Sequence, residues 1–346
     1  MTYTIEKVTT LIGARRYGDR DGNVGFILTD SRSLCFPEET LFFALKSERN
    51  DGHNYIPELY RRGVRNFVVS QVPKGYASDY PEANFLKVVN TLEALQRLAE
   101  RHRDEFNIPI VGITGSNGKT MVKEWLHQLL SPSMFVTRSP RSYNSQIGVP
   151  LSVWLLNEQT QVGVFEAGIS QPGEMLALRD IIQPTIAVLT YLGAAHQENF
   201  ESLEAKCREK IILFHDADTI VYNGDDKTVS GVVNEYKDYK GEKLFWSFRD
   251  TKAPFFVKNV EKKGNLSIIT YIYKGEEDSY SLPFIDEASV TNSIIAAVVS
   301  RRLGLSAEEL DKRMALLEPV AMRLEVKEGQ HGCTLINDCL LYTSDA

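Results

Sequence analysis

The chain has 346 residues, 43% hydrophobic and 25% charged, with a formal charge of −7. That fits two or three globular domains and excludes a broad basic field for nucleic acid; the clusters Arg15-Arg16 and Arg61-Arg62 read as solvated faces. Cys35, Cys207, Cys333 and Cys339 are scattered without CxxC spacing and fit reduced thiols, and with no signal peptide or bilayer-length apolar run visible the expectation is a cytoplasmic protein without membrane insertion.

Short strands are predicted at 26–28, 41–45, 66–69 and 85–88, separated by Gly, Pro and Asp turns. A helix follows over 91–103, where Leu92, Leu95, Leu98 and Ala99 form an apolar stripe. Asn107-Ile108-Pro109 reads as a hinge, and a second boundary falls near Glu318-Pro319, so the expected domains are 1–107, 108–319 and 320–346. Beyond the hinge, strand, loop and helix alternate. Strand 110–114 leads into helix 119–130, with Val122, Trp125, Leu126 and Leu129 on one face and Ser131-Pro132 as a stop. Further buried strands are predicted at 162–166, 186–190 and 219–222. The pattern implies an α/β fold with a mostly parallel, helix-covered sheet, in which ligands gather at the carboxyl ends of the strands. Residues 254–284 read as peripheral antiparallel hairpins with turns at Lys-Gly and Glu-Asp, and 291–302 as another helix.

Gly112-Ile113-Thr114-Gly115-Ser116-Asn117-Gly118-Lys119-Thr120 lies between a predicted strand and a predicted helix, the setting of a phosphate-cradling loop. Glycines let backbone N–H groups converge on phosphate oxygens, and the helix N-terminus adds its dipole. Lys119 would neutralise the β/γ phosphates and the Thr120 hydroxyl would ligate Mg²⁺. The general pattern places glycine where Ile113 stands; the plain alternative is a glycine-rich turn without a ligand.

Glu166 ends a strand before Ala167-Gly168, where a carboxylate can reach a cation beside the loop, although many strands end in an acid. His196 follows the next strand. Leu203, Cys207, Lys210 and Phe214 are spaced 4, 3 and 4, which puts Lys210 on the apolar stripe of its helix and Lys206 to the side. A buried lysine either snorkels or has a depressed pKa; in the second case its neutral amine can take up CO₂ as a metal-binding carbamate.

Together these residues resemble the Mur ligase family. The loop Gly115–Thr120 is similar to its nucleotide loop, in which the Ile113 departure is normal, and Asn144-Ser145-Gln146-Ile147-Gly148-Val149-Pro150 to its Asn-x-x-Ile-Gly-x-Pro segment. Glu166 matches the magnesium-binding acid, Ala195-His196 the second-metal histidine, and Lys210 the carbamylated lysine. Asn223-x-Asp225-Asp226 also fits, as does Asn292, which the family places near the adenine. Met322-Arg323-Leu324-Glu325 resembles the arginine segment opening the last domain. Thr29-Asp30-Ser31-Arg32, Leu41–Leu45 and Asp51-Gly52-His53 are similar to the UDP-sugar-binding domain of the MurE and MurF branches. The Asn144 segment and the Ala-Ala-His run look more like the MurF branch, which joins D-alanyl-D-alanine to UDP-MurNAc-tripeptide. The wording Pro319–Glu325 resembles versions fused to an alanine racemase.

The resemblance covers about residues 20–338, with two departures: Ala288 stands where the family often has histidine, and Ile336-Asn337-Asp338 is not continued as Asn-Asp-x-Tyr-Asn. The Rossmann-like C-terminal domain is expected to be missing and the last residues to be foreign to the fold, which implies weak or absent turnover.

The resemblance implies a mechanism. ATP would bind on Gly115, Ser116, Asn117, Gly118, Lys119 and Thr120, with Asn292, Arg323 and Asp338 as further nucleotide contacts. Thr120 and Glu166 would hold one Mg²⁺, and His196 with a carbamylated Lys210 a second; Lys119, His196 and Lys210 are the implied catalytic residues. Ser31, Arg32 and Asn144 would contact the UDP-MurNAc-peptide. The substrate carboxylate becomes an acyl phosphate, which the amine of D-alanyl-D-alanine converts to an amide. Alternatives are a MurE-type ligase adding an amino acid to UDP-MurNAc-dipeptide, a folate-polyglutamate-type relative, and a catalytically dead nucleotide-binding module.

Overall fold

The computed structural model describes residues 1–193, 197–237 and 239–320, together with the backbone pairing of two strands, Glu325–Glu328 and Thr334–Asn337. His196, Arg323 and Asp338 therefore lie outside the described residues.

The N-terminal sheet has the order Arg15–Tyr17, Asn84–Lys87, Asn66–Val69, Thr40–Phe43, Phe26–Leu28, parallel except at the Arg15–Tyr17 edge. The predicted helix Thr91–Arg103 forms, with Asn90 Oδ1 accepting from the backbone N–H groups of Leu92 and Glu93. It packs against a helix missing from the sequence reading, Ile5–Ile12. That helix buries only Ile5, Val8 and Ile12, a stripe concealed by the intervening Glu6, Lys7, Thr9 and Thr10.

The central sheet has six strands, all parallel, in the order Glu242–Lys243, Thr219–Val221, Ile186–Leu189, Ile110–Thr114, Val162–Glu166, Val136–Arg138. Strands covered on both faces can be apolar throughout, and every residue of Ile110–Thr114 and Val162–Glu166 is buried. Helix Lys119–Leu130 contributes to the core on one face, and Glu174–Ile182 and Lys227–Glu235 to the core on the other. The chain leaves the sheet at Glu166 on one side of Ile110–Thr114 and re-enters at Ile186 on the other. That reversal opens a crevice at the carboxyl end of Ile110–Thr114.

Phe255–Lys263, Leu266–Tyr273 and Glu276–Leu282 form the expected antiparallel sheet. Its second turn is Lys274-Gly275, not Glu277-Asp278, which are paired within a strand. Lys274 and Gly275 have φ of 53° and 83°, the backbone that a two-residue hairpin requires. Helix Glu287–Arg302 starts earlier than predicted because the Asp286 side chain accepts from Ser289 N–H and caps it.

The two sheet systems are joined by polar contacts at helix Thr91–Arg103 and at Trp154. Trp154 Nε1 donates to Gly25 O at 3.0 Å, and Arg103 donates to the carbonyls of Ile182 and Gln183. His102 Nε2 donates to Leu156 O at 3.0 Å while its Nδ1 accepts from the Tyr3 hydroxyl at 2.8 Å. Burial pushes the His102 pKa down to about 4, and the neutral ring that results leaves Nδ1 as an acceptor for Tyr3.

Candidate active site

The loop after Ile110–Thr114 depends on two glycines. Gly115 has φ +145° and sits against Thr190, whose Oγ1 would lie 2.1 Å from an added Cβ. Gly118 has φ +85° and sits against Asn292, whose Oδ1 would lie 2.4 Å from an added Cβ. The loop is held to the next strand by Ser116 N–H donating to Tyr191 O and by the Thr190 hydroxyl donating to Asn117 O. Lys119 Nζ folds back onto the loop and donates to Gly115 O at 2.8 Å and Ser116 O at 3.4 Å.

Thr120, in the first turn of helix Lys119–Leu130, donates from Oγ1 to Glu166 Oε2 at 3.1 Å, and its hydroxyl lies 3.3 Å from Ser142 Oγ. Glu166 is fully buried. A hydroxyl and a carboxylate are hard oxygen donors suited to Mg²⁺, and this pair sits at the end of the strand next to the loop.

A cavity of about 180 Å³ beside the loop is lined by Gly115, Ser116, Lys119, Asn144, Gly168 and Lys210 among others. Asn144 O accepts from Gly168 N–H at 2.8 Å, which fixes the Asn144 segment to the end of the Glu166 strand. Lys210 Nζ reaches Gly115 O at 3.3 Å. Burial, then the nearby Lys119 and Lys206 charges, push the Lys210 pKa down to about 7. Almost wholly buried with its Nζ on a loop carbonyl, Lys210 does not snorkel. Lys206 is not to the side, as its spacing suggested: it is 1% exposed against 3% for Lys210, and its Nζ donates to Gly193 O. The Gly193 segment crosses over that flank of the helix, which spacing along one helix cannot reveal.

Other expected residues stand apart from the cavity. Asn292 Nδ2 donates to Met121 Sδ at 3.2 Å, so Asn292 supports the base of the loop. Asp226 caps helix Lys227–Glu235, and Asp225 accepts from the Ser247 hydroxyl and Phe248 N–H, both structural tasks. Ser31 and Arg32 lie on the N-terminal sheet system. Arg32 forms a bidentate pair with Asp30 and holds that carboxyl below its usual pKa, while Arg62 donates to Ser31 O. His53 bridges Asp51 and Ser70 N–H.

Three contributors were missed by the sequence reading: Thr190, Ser142 and Lys123. For Lys123 a signal existed. It stands one helical turn after Lys119, in a helix with apolar residues at 121, 122, 125 and 126; the structure buries it completely, 3.1 Å from Glu166 Oε1.

The model of the Mur ligase middle domain matches residues 113–300, and that of the Mur ligase catalytic domain matches residues 23–103. A UDP-N-acetylmuramoyl-tripeptide–D-alanyl-D-alanine ligase of Bacillus subtilis is 29% identical over 321 residues, covering 90% of this chain and 66% of that protein. The chain thus spans about two thirds of the length of the curated relatives it matches. The crystal structure of MurF from Acinetobacter baumannii shares the fold, with a TM-score of 0.87 at 23% identity over 98% of this chain and 73% of that one. MurF from Thermotoga maritima, solved in complex with ADP, has a TM-score of 0.77 at 25% identity over 90% of this chain and 70% of its own.

Proposed function

Because the chain belongs to the Mur ligase family, we propose that it carries the substrate-binding and ATP-binding parts of an amide ligase that adds D-alanyl-D-alanine to UDP-MurNAc-tripeptide. That is a step of peptidoglycan precursor synthesis. The observation that carries this reading is the convergence of Lys119, Asn144 and Lys210 on one cavity, with the Thr120–Glu166 pair at the adjoining strand end. The names of the curated relatives support the substrates.

Gly115, Ser116, Asn117 and Gly118 offer the γ-phosphate of ATP a converging backbone, and Lys119 exchanges its contacts with loop carbonyls for phosphate oxygens. Thr120 and Glu166 would hold a Mg²⁺ ion, which when bound supplies charge neutralisation at the transferring phosphoryl group. Asn144 orients the substrate carboxylate toward that phosphoryl group. The carboxylate oxygen forms a bond to phosphorus as the bond to ADP breaks, giving an acyl phosphate. The amine of D-alanyl-D-alanine then attacks the acyl carbon; phosphate leaves and the amine proton is released. Positioning and electrostatics do most of the work.

The amine of Lys210 is neutral in a large fraction of molecules near pH 7. It can therefore attack CO₂, forming an N–C bond and releasing a proton, and the resulting carbamate would offer oxygen to a second Mg²⁺, with His196 as the other side chain implied by resemblance. Ser31 and Arg32 are assigned to the UDP end of the substrate, and Asn292, Arg323 and Asp338 to the nucleotide. The assignment to 1–107, 108–319 and 320–346 is retained as the proposed domain organisation. Among the described residues no helix is long and apolar enough to cross a membrane, and the water-soluble substrates favour the cytoplasm. Pro319–Glu325 keeps fusion to an alanine racemase as the proposed context.

The test is calorimetric binding of ATP and Mg²⁺, with and without UDP-MurNAc-tripeptide, to the wild type and to Lys119→Ala. Nucleotide binding lost in the variant, with affinity for the UDP-tripeptide retained, is expected. A folded protein that binds neither ligand would overturn the reading; preference for UDP-MurNAc-dipeptide would move it to the MurE-type reaction.

A further inference from the structure

Lys123 is 0% exposed, in the second turn of the helix that begins at Lys119. Its ammonium donates to Ser139 O at 2.9 Å and to Arg141 O, and lies 3.0 Å from Glu124 Oε1 and 3.1 Å from Glu166 Oε1. Its two hydrogen bonds thus go to the segment 139–141, while its charge lies against the carboxylates of Glu124 and Glu166.

The two oxygens of Glu166 are thereby made unequal. Oε1 faces the buried ammonium and accepts no hydrogen bond among the described residues. Oε2 accepts from the Thr120 hydroxyl. The lysine also draws in residues 139–141, whose Ser139 Oγ accepts from Glu166 N–H at 3.2 Å and whose neighbour Ser142 touches Thr120. Arg141 has φ 48°, a conformation uncommon outside glycine, which the bond from Lys123 to its carbonyl helps to hold.

We propose that Lys123 is a positioning residue for the nucleotide-bound metal: its buried ammonium holds Glu166 Oε1 inward so that Oε2 is presented, beside the Thr120 hydroxyl, to a small divalent cation. This rests on the nucleotide reading above and adds to it a residue that touches neither nucleotide nor metal. A carboxylate presented through one oxygen suits the compact octahedral shell of Mg²⁺, whereas a carboxylate free to bind through both suits a larger cation such as Ca²⁺. Lys123 acts through Glu166, so its effect depends on Glu166 being ionised and in place.

ADP binding is measured by calorimetry in Mg²⁺ and in EDTA for wild type, Lys123→Gln, Glu166→Gln and the double variant, with thermal midpoints recorded in parallel. Lys123→Gln is expected to weaken ADP binding at least about tenfold in Mg²⁺ and to leave binding in EDTA within about threefold. In the Glu166→Gln background the same change is expected to have no further effect beyond about twofold, the signature of one acting through the other. If Lys123→Gln does not fold, the double variant, which neutralises both members of the buried pair, still decides by comparison with Glu166→Gln. Equal Mg²⁺ dependence in Lys123→Gln and wild type, equal losses in Mg²⁺ and EDTA, or a further loss in the Glu166→Gln background would overturn the inference. Absence of ADP binding by the wild type in Mg²⁺ would overturn the nucleotide reading, and the inference with it.

Discussion

The Thr120 hydroxyl donates to Glu166 Oε2 across 3.1 Å, linking the first turn of the helix after the phosphate loop to the end of the neighbouring parallel strand. The two residues are 46 positions apart in the chain, and only the pairing of Ile110–Thr114 with Val162–Glu166 brings them together. A cation held there would replace the hydroxyl proton as partner of the carboxylate. Glu166→Gln is expected to lower ADP affinity in Mg²⁺ about tenfold or more, to the level found in EDTA, while ADP affinity in EDTA stays the same. A Mg²⁺ response as large as that of the wild type would sink this assignment.

Gly118 and Gly173 have nearly the same backbone, φ +85° and +86°, but different surroundings. A Cβ on Gly118 would meet Asn292 Oδ1 at 2.4 Å, whereas one on Gly173 would meet nothing within 4 Å. Gly173→Ala is therefore expected to cost about 1 kcal/mol, the left-handed penalty alone. Gly118→Ala is expected to cost about 2–4 kcal/mol, by adding the clash, and to abolish nucleotide binding. Urea midpoints for the two variants provide the comparison; equal losses would mean that Asn292 yields freely.

His102 sets a pH dependence. Burial keeps its ring neutral in the fold and pushes its pKa from 6.5 down to about 4, against the opposing effect of the Nε2 bond to Leu156 O. Between those values the unfolded chain binds more protons, so stability rises with pH across the window. The contribution is fully present above about pH 6.5 and is lost as pH falls toward 4, about 3 kcal/mol in all. His102→Gln is expected to flatten this slope in denaturant titrations at pH 7, 6, 5 and 4. An unchanged slope would place the acid sensitivity elsewhere.

Lys210 is expected to take up CO₂ from bicarbonate. With its amine pushed down to about 7, the neutral, reactive form grows from pH 6 to pH 8, and carbamate occupancy should grow with it until CO₂ itself becomes scarce. A carbamate carbon signal in ¹³C NMR with labelled bicarbonate is the measurement. The signal should vanish in Lys210→Arg and survive in Lys206→Gln. Its survival in Lys210→Arg would assign the carbamate to another amine.

What could be read in the residues alone was local. Strands 66–69, 110–114 and 162–166 and helices 91–103 and 119–130 have the predicted bounds, because each is a self-contained apolar run or stripe with its own stop signals. The same locality made Gly115–Thr120 legible, since a phosphate loop is a continuous segment between a strand and a helix. Helix Ile5–Ile12 escaped because three buried residues make too faint a stripe, and the Lys274-Gly275 turn because charged residues on an exposed strand resemble a loop.

Tertiary structure decided the rest. Whether Lys206 is exposed depends on where the Gly193 segment crosses, and the contact of Asn292 with Gly118 depends on how Glu287–Arg302 packs against Lys119–Leu130. The buried contact between Lys123 and Glu166 requires a helix and a strand end separated by an intervening strand and helix. Sequence spacing carries information along one element; which charges share a buried space is determined by the order in which strands pair, and no residue encodes that by itself.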